Sequence, residues 1–345
     1  MVLVTGGLGY IGSHTVVSLQ EIGLKTLIVD NLSNSTKNVL NGIEKACGTL
    51  PKFFEMDLVN RNQVKSLFKN NKIDAIIHFA AYKSVSESVN YPVKYYDNNI
   101  NSLLNLLKEV ENVEKTFPFI FSSSCTVYGD SDKQPLSENS EIKKAFSPYG
   151  NTKQICEEII IDFCKVNSNI KPVFLRYFNP IGAHHSNEIG ELPLGKPQNL
   201  VPFITQTAAG LHDELIVFGN DYNTHDGTNI RDYIHVVDLS NAHVSALNFA
   251  EKKMKNKYEI FNVGTGHGFS VLDVIKTFEK ISGEKLNFSF GKRRNGDVTC
   301  AYANCDKSKK ELGWKCVHSL DDALQSAWNW EKKIRKIAQI SSMKI

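Results

Sequence analysis

The sequence has few cysteines, no long apolar run and almost no excess charge, and each shortage excludes a class of protein. Its seven cysteines, Cys47, Cys125, Cys156, Cys164, Cys300, Cys305 and Cys316, are odd in number and include no Cys-x-x-Cys pair. Neither a disulfide framework nor a zinc site is suggested, and no metal is expected. No apolar stretch approaches the roughly 18 residues that span a bilayer, and the chain opens on Val2-Leu3-Val4 instead of a charged leader, so a cytoplasmic protein is expected. Tandem repeats and long low-complexity segments are missing as well. The formal net charge is only +3, and outside Lys292-Arg293-Arg294 and the lysine-rich stretch 252–257 the basic residues are scattered, which argues against bulk nucleic-acid binding. What remains is an ordinary soluble composition, 345 residues with 41% hydrophobic and 22% charged, enough for one large core or two domains.

The start of the chain reads as strand, glycine turn, helix. Val2-Leu3-Val4-Thr5 is a buried strand, Gly6-Gly7-Leu8-Gly9-Tyr10-Ile11-Gly12 follows, and Ile11, Thr15, Leu19 and Ile22 then share one helical face. Glycines let the backbone turn tightly and approach a pyrophosphate, which the free N–H groups and dipole of a helix start stabilise. The spacing is Gly-x-x-Gly-x-x-Gly, on Gly6, Gly9 and Gly12, not the commoner Gly-x-Gly-x-x-Gly. The next strand, Thr26-Leu27-Ile28-Val29, ends in Asp30, about 20 residues after the glycines, where an acid accepts from both ribose hydroxyls. No arginine adjoins it to welcome a 2′-phosphate, so NAD is favoured over NADP. Further strands at 53–55, 75–78 and 119–121, separated by helical segments around 64–69 and 93–111, argue an α/β, doubly wound parallel sheet of Rossmann type. Ligands of such sheets lie at the strands' carboxyl ends, which here carry Asp57 and Leu58, Phe79-Ala80-Ala81-Tyr82-Lys83 and Ser122-Ser123-Ser124. His78, flanked by apolar residues within its strand, reads as core.

Ser147-Pro148-Tyr149-Gly150-Asn151-Thr152-Lys153 places a phenol and an ammonium four residues apart. Pro148 suits a first helical turn, and Ile155, Ile159 and Phe163 continue the apolar spacing, so Tyr149 and Lys153 stand on one face. A tyrosine acting as base near neutrality must have its pKa lowered by about 2 to 3 units, roughly 3 to 4 kcal/mol, and an adjacent cation supplies much of that. The same pattern also describes a packed tyrosine beside a solvated lysine.

These residues together carry a resemblance. The glycine turn, Asp30, the serine run and Tyr149 with Lys153 resemble the extended short-chain dehydrogenase/reductase superfamily. Within it, Ser-Ser-Ser-Cys-Thr-Val-Tyr-Gly from Ser122, Leu-Arg-Tyr-Phe-Asn-Pro-Ile-Gly-Ala-His from Leu175, Phe-Gly-Asn-Asp-Tyr from Phe218 and Asp-Gly-Thr-Asn-Ile-Arg-Asp-Tyr-Ile-His-Val from Asp226 are similar to the UDP-galactose 4-epimerases. The likeness covers residues 1 to 330. It implies a Rossmann-like NAD domain over 1–178, to which 234–264 return, interleaved with a smaller mixed α/β UDP-sugar domain over 179–233 and 265–345. It implies tightly bound NAD, held by Gly6, Gly9, Tyr10, Ile11, Gly12, Asp30, Asn31, Asp57, Leu58, Phe79, Ala80, Lys83, Asn98, Ser122, Tyr149, Lys153, Tyr177 and Phe178. UDP-hexose would be held by Ser124, Tyr149, Asn179, Asn199, Leu200, Val217, Phe218, Arg231, Tyr233, Arg294, Asp297 and Ala301. Arg231 and Arg294 would fork onto the diphosphate, although an ion pair of Arg231 with Asp232 is the plainer reading of that neighbour.

The activity implied is reversible interconversion of UDP-galactose and UDP-glucose through a 4-keto sugar, with Tyr149 as base, Lys153 lowering its pKa and binding the cofactor ribose, and Ser124 bonding the reacting oxygen. A homodimer paired through the helices near Val93 and Tyr149 is also implied, and no fused aldose mutarotase is expected. Ala301 stands where the family carries either a bulky aromatic or a small residue beside the hexose C2 substituent, so the acetylated pair UDP-N-acetylglucosamine and UDP-N-acetylgalactosamine is expected to fit. A one-residue shift would give that role to Cys300. Ala81-Tyr82-Lys83-Ser84-Val85-Ser86 replaces the usual Gly-Leu-Lys-Ala-Val-Gly, which leaves the fit of the loop at Ser86 open. Asn223 and His225, also unusual, read as surface changes, and Trp328 and Trp330 as helix packing. The rivals are a nucleotide-sugar 4,6-dehydratase or decarboxylase on the same scaffold, and a non-catalytic NAD-binding sensor or scaffold. Dehydration needs an acid beside the active-site Ser/Thr, where this chain has Cys125-Thr126.

Overall fold

In the computed structural model the described residues are 1–111, 113–131, 133–294 and 296–342, with side chains through 336. The last residues of the expected second domain, 343–345, lie outside them. In chain order the first elements are β1 (Val2–Thr5), α1 (Tyr10–Glu21), β2 (Thr26–Asp30), α2 (Asn38–Cys47), β3 (Lys52–Glu55), α3 (Arg61–Asn70), β4 (Ala75–His78), α4 (Val85–Asn90), α5 (Pro92–Val110) and β5 (Phe117–Ser122). There follow α6 (Pro148–Val166), β6 (Ile170–Tyr177), β7 (Asn179–Ile181), α7 (Leu200–Ala208), β8 (Leu215–Phe218), β9 (Ile230–Arg231) and β10 (Tyr233–His235). The chain ends with α8 (Val236–Lys252), β11 (Glu259–Val263), β12 (Phe269–Ser270), α9 (Val271–Ser282), β13 (Phe288–Gly291), β14 (Cys300–Ala301) and α10 (Leu320–Ser342).

Seven strands form one parallel sheet in the order β11-β6-β5-β4-β1-β2-β3. This is the doubly wound arrangement that the strand–helix alternation predicts, and its central strands β1, β2 and β4 are largely apolar and buried because both faces are covered. Alternate side chains feed two cores. Leu3, Leu27, Val29, Ile76, Phe119, Phe121 and Phe174 pack under α3, α5 and α6. Val4, Ile28, Ile77, Ile120, Val173 and Leu175 pack on the opposite layer with α1 and α8. α1 packs on the sheet between α2 and α8, so everything from Gly12 to Leu19 is buried and the expected single face is too narrow. Ile22, expected on that face, is instead 54% exposed beyond the helix end.

After β6 the chain builds a third core from α7, α9, α10 and β8, with Tyr233 of β10 and Trp328 inside it. β7 and β10 pair in parallel, Asn179 opposite Tyr233, where the chain leaves the large sheet and comes back to it. β9 is flanked by β12 and β14. β7 follows directly on the carboxyl end of β6, the end of such a sheet at which ligands lie, and the strand order reverses between β1 and β4.

Candidate active site

The glycine turn is dictated by close approach. Gly6 has φ +66°, and a Cβ there would lie 2.9 Å from the Ala80 nitrogen, while one on Gly12 would lie 2.2 Å from the Gly6 carbonyl. No other residue type closes this turn. α1 then starts at Gly9 with no side-chain cap and no acidic residue in its first turn, so its N–H groups are left for an anion. Asp30, at the end of β2, is buried, and its Oδ2 accepts from the Leu8 N–H at 3.1 Å. Its Oδ1 accepts from the Leu32 N–H at 3.0 Å and the Ser35 hydroxyl at 2.9 Å. Asn31 donates to Asp57 at 3.2 Å. Leu58 is buried under α5 and its carbonyl is taken by Asn105, so only its N–H faces outward chemistry. Phe79 packs against the tilted ring of His243 with centroids 4.6 Å apart, and Asn98 donates to Asn99. His78 is buried and bonded to Thr5 at 2.7 Å, inside the core as its neighbours suggest.

α6 starts as its sequence predicts. Ser147 caps it by accepting from the Gly150 N–H at 3.1 Å, and Pro148 occupies the first turn. Tyr149 is 7% exposed, and its phenol lies beside the Ser124 hydroxyl. One turn on, Lys153 donates to the Ser122 carbonyl at 2.8 Å and lies 4.8 Å from the Phe121 ring. Ser122 in turn donates to Tyr177 at 3.0 Å. Burial pushes the Tyr149 phenol well above its ordinary value, Tyr177 adds to this, and the nearby Ser124 hydroxyl opposes it. Lys153 itself is pulled down to about 8 by burial, with Cys156 and Glu157 opposing. A buried phenol of this kind ionises only with positive charge alongside.

A polar network under the site has no sequence signal. Glu157, one turn past Lys153, accepts from Arg176 through both oxygens, at 3.0 and 2.6 Å, and from Ser123 at 2.5 Å. Arg176 lies 4.9 Å over the Tyr128 ring, and Tyr128 donates to Asn262 at 2.6 Å. Glu157 and Arg176 are almost fully buried. Their helix face explains a further difference: the buried stripe of α6 runs through Tyr149, Lys153, Cys156, Glu157, Ile160 and Cys164, one position off the Ile155, Ile159 and Phe163 that hydropathy selects. Arg176→Met leaves Glu157 buried without its cation and is expected to destabilise the protein by about 3 kcal/mol, whereas Glu157→Leu with Arg176→Met is expected to recover most of it. Urea midpoints of the two variants check this.

On the far side of the cleft, Arg231 lies in β9 opposite Ala301 of β14 and reaches 3.9 Å from Asp297. Its sequence neighbour Asp232 does not pair with it. Asp232 is buried and accepts from Thr265, Gly266 and Ala303, holding the 264–266 and 303 loops together. Arg294 covers one face of Phe218 at 4.0 Å. Val217 and Tyr233 are buried in the third core, so Val217 can serve only through its backbone. Ala301 packs with Val127, Tyr128 and Phe178 against Cys125, next to Ser124, whereas Cys300 points to the other side of its strand with its carbonyl bound by Gln134. Ala301, not Cys300, faces the catalytic turn. Lys83 lies 3.7 Å from Glu191. The unusual Ser84 and Ser86 both donate to Gln198, at 2.8 and 3.0 Å, and Ser84 also caps α4, so the loop accommodates the change without a positive φ. His225 is exposed and pairs with Asp226 and Asp273, whose oxygens Thr228 and Ser270 already occupy.

A family model described as GDP-mannose 4,6 dehydratase matches residues 3–327. The UDP-glucose 4-epimerase of Yersinia enterocolitica is 46% identical over 333 residues, covering 96% of this chain and 97% of the relative. Among solved structures, the UDP-glucose 4-epimerase of Stenotrophomonas maltophila with bound NAD and formylated UDP-arabinopyranose superposes with a TM-score of 0.93 at 44% identity, over 97% of this chain and 99% of that one. That of Bifidobacterium longum with NAD+ and UDP gives 0.92 at 42% identity, over 96% and 98%.

Proposed function

The chain belongs to the UDP-glucose 4-epimerase family of extended short-chain dehydrogenases/reductases, and on that premise we propose that it interconverts UDP-galactose and UDP-glucose at C4, keeping NAD bound through turnover. The observation that carries the reading is a buried Tyr149 phenol beside the Ser124 hydroxyl at the carboxyl edge of the sheet, with Lys153 one turn away. When bound, oxidised NAD supplies a hydride acceptor and a positively charged ring. The residues fit it: a turn too tight for any Cβ, an uncapped α1, and an acid whose only side-chain donor, Ser35, a ribose hydroxyl can displace.

Tyr149 takes the proton from the sugar 4-hydroxyl while Ser124 holds the same oxygen. Burial favours the neutral phenol, so the proton leaves only with positive charge alongside, from Lys153 and from the ring. After the 4-keto sugar presents its other face, Tyr149 returns the proton and the configuration is inverted. That rotation requires the diphosphate to be held by Arg231 and Arg294 while the hexose stays loosely bound. Purified protein mixed with UDP-galactose is expected to yield UDP-glucose with no net NADH, and to release NAD on denaturation. A dehydratase reading is disfavoured because Ser124 is followed by Cys125-Thr126, with no carboxyl there to move the C5 proton, and burial keeps the Cys125 thiol protonated. A non-catalytic scaffold is disfavoured by the presence of Tyr149, Lys153 and Ser124 together. Seven free cysteines suit the cytoplasm, and exposed Val89, Tyr91 and Val93 beside α5 suit a homodimer face.

Ala301 leaves room for an N-acetyl group at C2. UDP-N-acetylglucosamine and UDP-N-acetylgalactosamine are therefore expected to be interconverted as well. Ala301→Tyr is expected to lower the kcat/KM ratio of acetylated to unacetylated substrate by about a hundredfold, the range that pocket volume commands. A wild-type ratio below about one in a thousand would refute the wider specificity.

A further inference from the structure

The loop 190–199 is fastened at both ends. Trp330 donates its indole N–H to the Glu191 carbonyl at 2.9 Å, and Gln198 accepts from Ser84 and Ser86. Across the neck, Asn199 Nδ2 donates to Glu191 Oε1 at 2.5 Å. Asn199 is the residue from which α7 starts, with extended backbone at φ −86° and ψ 149°, a position where an asparagine side chain ordinarily folds back onto the first turn. Here it does not, and no side chain caps α7. Pro202 has no N–H, and the Phe203 N–H goes to the Asn199 carbonyl, so Val201 carries the one N–H that the Asn199 oxygen would reach as a cap. A carboxylate only accepts, so the amide nitrogen faces Glu191 and the amide oxygen is turned away from that N–H.

Resting on the UDP-sugar reading above, we propose that Glu191 is a positioning residue, which holds Asn199 off the start of α7 and so keeps the Val201 N–H open to the substrate diphosphate. The same oxygen is 3.7 Å from Lys83, but the Lys83 side chain is 53% exposed, and a surface pair of that length contributes little. The bond to Asn199 carries the role.

The test is calorimetric titration of UDP and of uridine into the protein as purified, in wild type, Glu191→Ala and Glu191→Gln. Uridine lacks the phosphates, so it separates the diphosphate contact from the shape of the loop. Glu191→Ala is expected to weaken UDP about tenfold, the scale of one lost cap-type hydrogen bond at a helix start, with uridine changed by less than about twofold. Glu191→Gln keeps an oxygen acceptor and is expected to stay within about threefold of wild type on UDP. Unchanged UDP affinity in Glu191→Ala overturns the proposal, and so does an equal loss for both ligands, which would mean a merely structural loop. Glu191→Ser takes the place of the alanine variant should that fail to fold. A wild-type protein that binds no UDP overturns the functional reading and this proposal with it, whereas failure in the variants alone leaves the functional reading standing.

Discussion

Replacing Tyr149 with phenylalanine is expected to lower kcat for UDP-galactose by about 10³- to 10⁴-fold, the contribution of a positioned proton-transfer group. KM and bound NAD should stay within about twofold, because the group lost acts on the transition state more than on the ground state. The variant is conservative in packing. Tyr149 is 7% exposed, the phenylalanine ring occupies the same volume, and the neighbouring Ser124 keeps the bond it accepts from the Thr126 N–H at 3.2 Å. The fold should therefore lose no more than about 1 kcal/mol. Steady-state kinetics with UDP-glucose as the readout decide it, and a kcat within tenfold of wild type would sink the assignment. Substrate deuterated at C4 adds an independent reading: the label is expected to stay on carbon in the wild-type product, since hydride moves within the site while the tyrosine exchanges only the hydroxyl proton.

The parts of this site that the sequence reveals are those whose chemistry fixes a local spacing. A phenol and an ammonium four apart after Ser-Pro, three glycines three apart after a strand, and an acid at the next strand's end need no knowledge of distant partners. Glu157 and Arg176 fail that condition: they are 19 residues apart on different elements, and a lone charge in an amphipathic helix ordinarily reads as solvated. The minor alternative for Arg231, an ion pair with Asp232, fails for a simpler reason: the two are neighbours at the edge of a strand, where successive side chains point to opposite sides. The depth at which the Tyr149 phenol is buried was beyond the sequence, because the elements that cover it come from distant parts of the chain. The coupling of Ser84 and Ser86 to Gln198 joins residues more than a hundred positions apart, and only the folded chain places them together.

Mild acid is expected to unfold this protein steeply. His14, His78, His184, His235 and His243 are all buried, and burial lowers their pKa to about 3 for His14 and His78 and to about 4 for the others. Their surroundings favour the neutral ring. His14 and His243 each donate Nδ1–H to a helix carbonyl, of Tyr10 and Leu239, and leave a buried Nε2 without any partner. His235 accepts from the Val237 N–H and stacks on His318 at 4.3 Å, and His78 has Lys153 nearby. A histidine whose folded pKa is depressed binds its proton first in the unfolded state, so its contribution is intact above the unfolded value near 6.5 and is lost as pH falls towards the folded value. Between pH 7 and pH 5 each group should cost about 2 kcal/mol, and five together about 9 kcal/mol, comparable to the whole stability of an ordinary domain. Asp232 and Glu191, whose carboxyls burial raises, act in the opposite sense but are outnumbered. Urea titrations at pH 7, 6 and 5 should show stability falling by about 6 kcal/mol per pH unit near pH 5, with four to five protons taken up on unfolding by roughly the same linkage. A slope below about 2 kcal/mol per unit would mean that the buried histidines already carry protons in the folded state, which the partnerless nitrogens of His14 and His243 make energetically untenable.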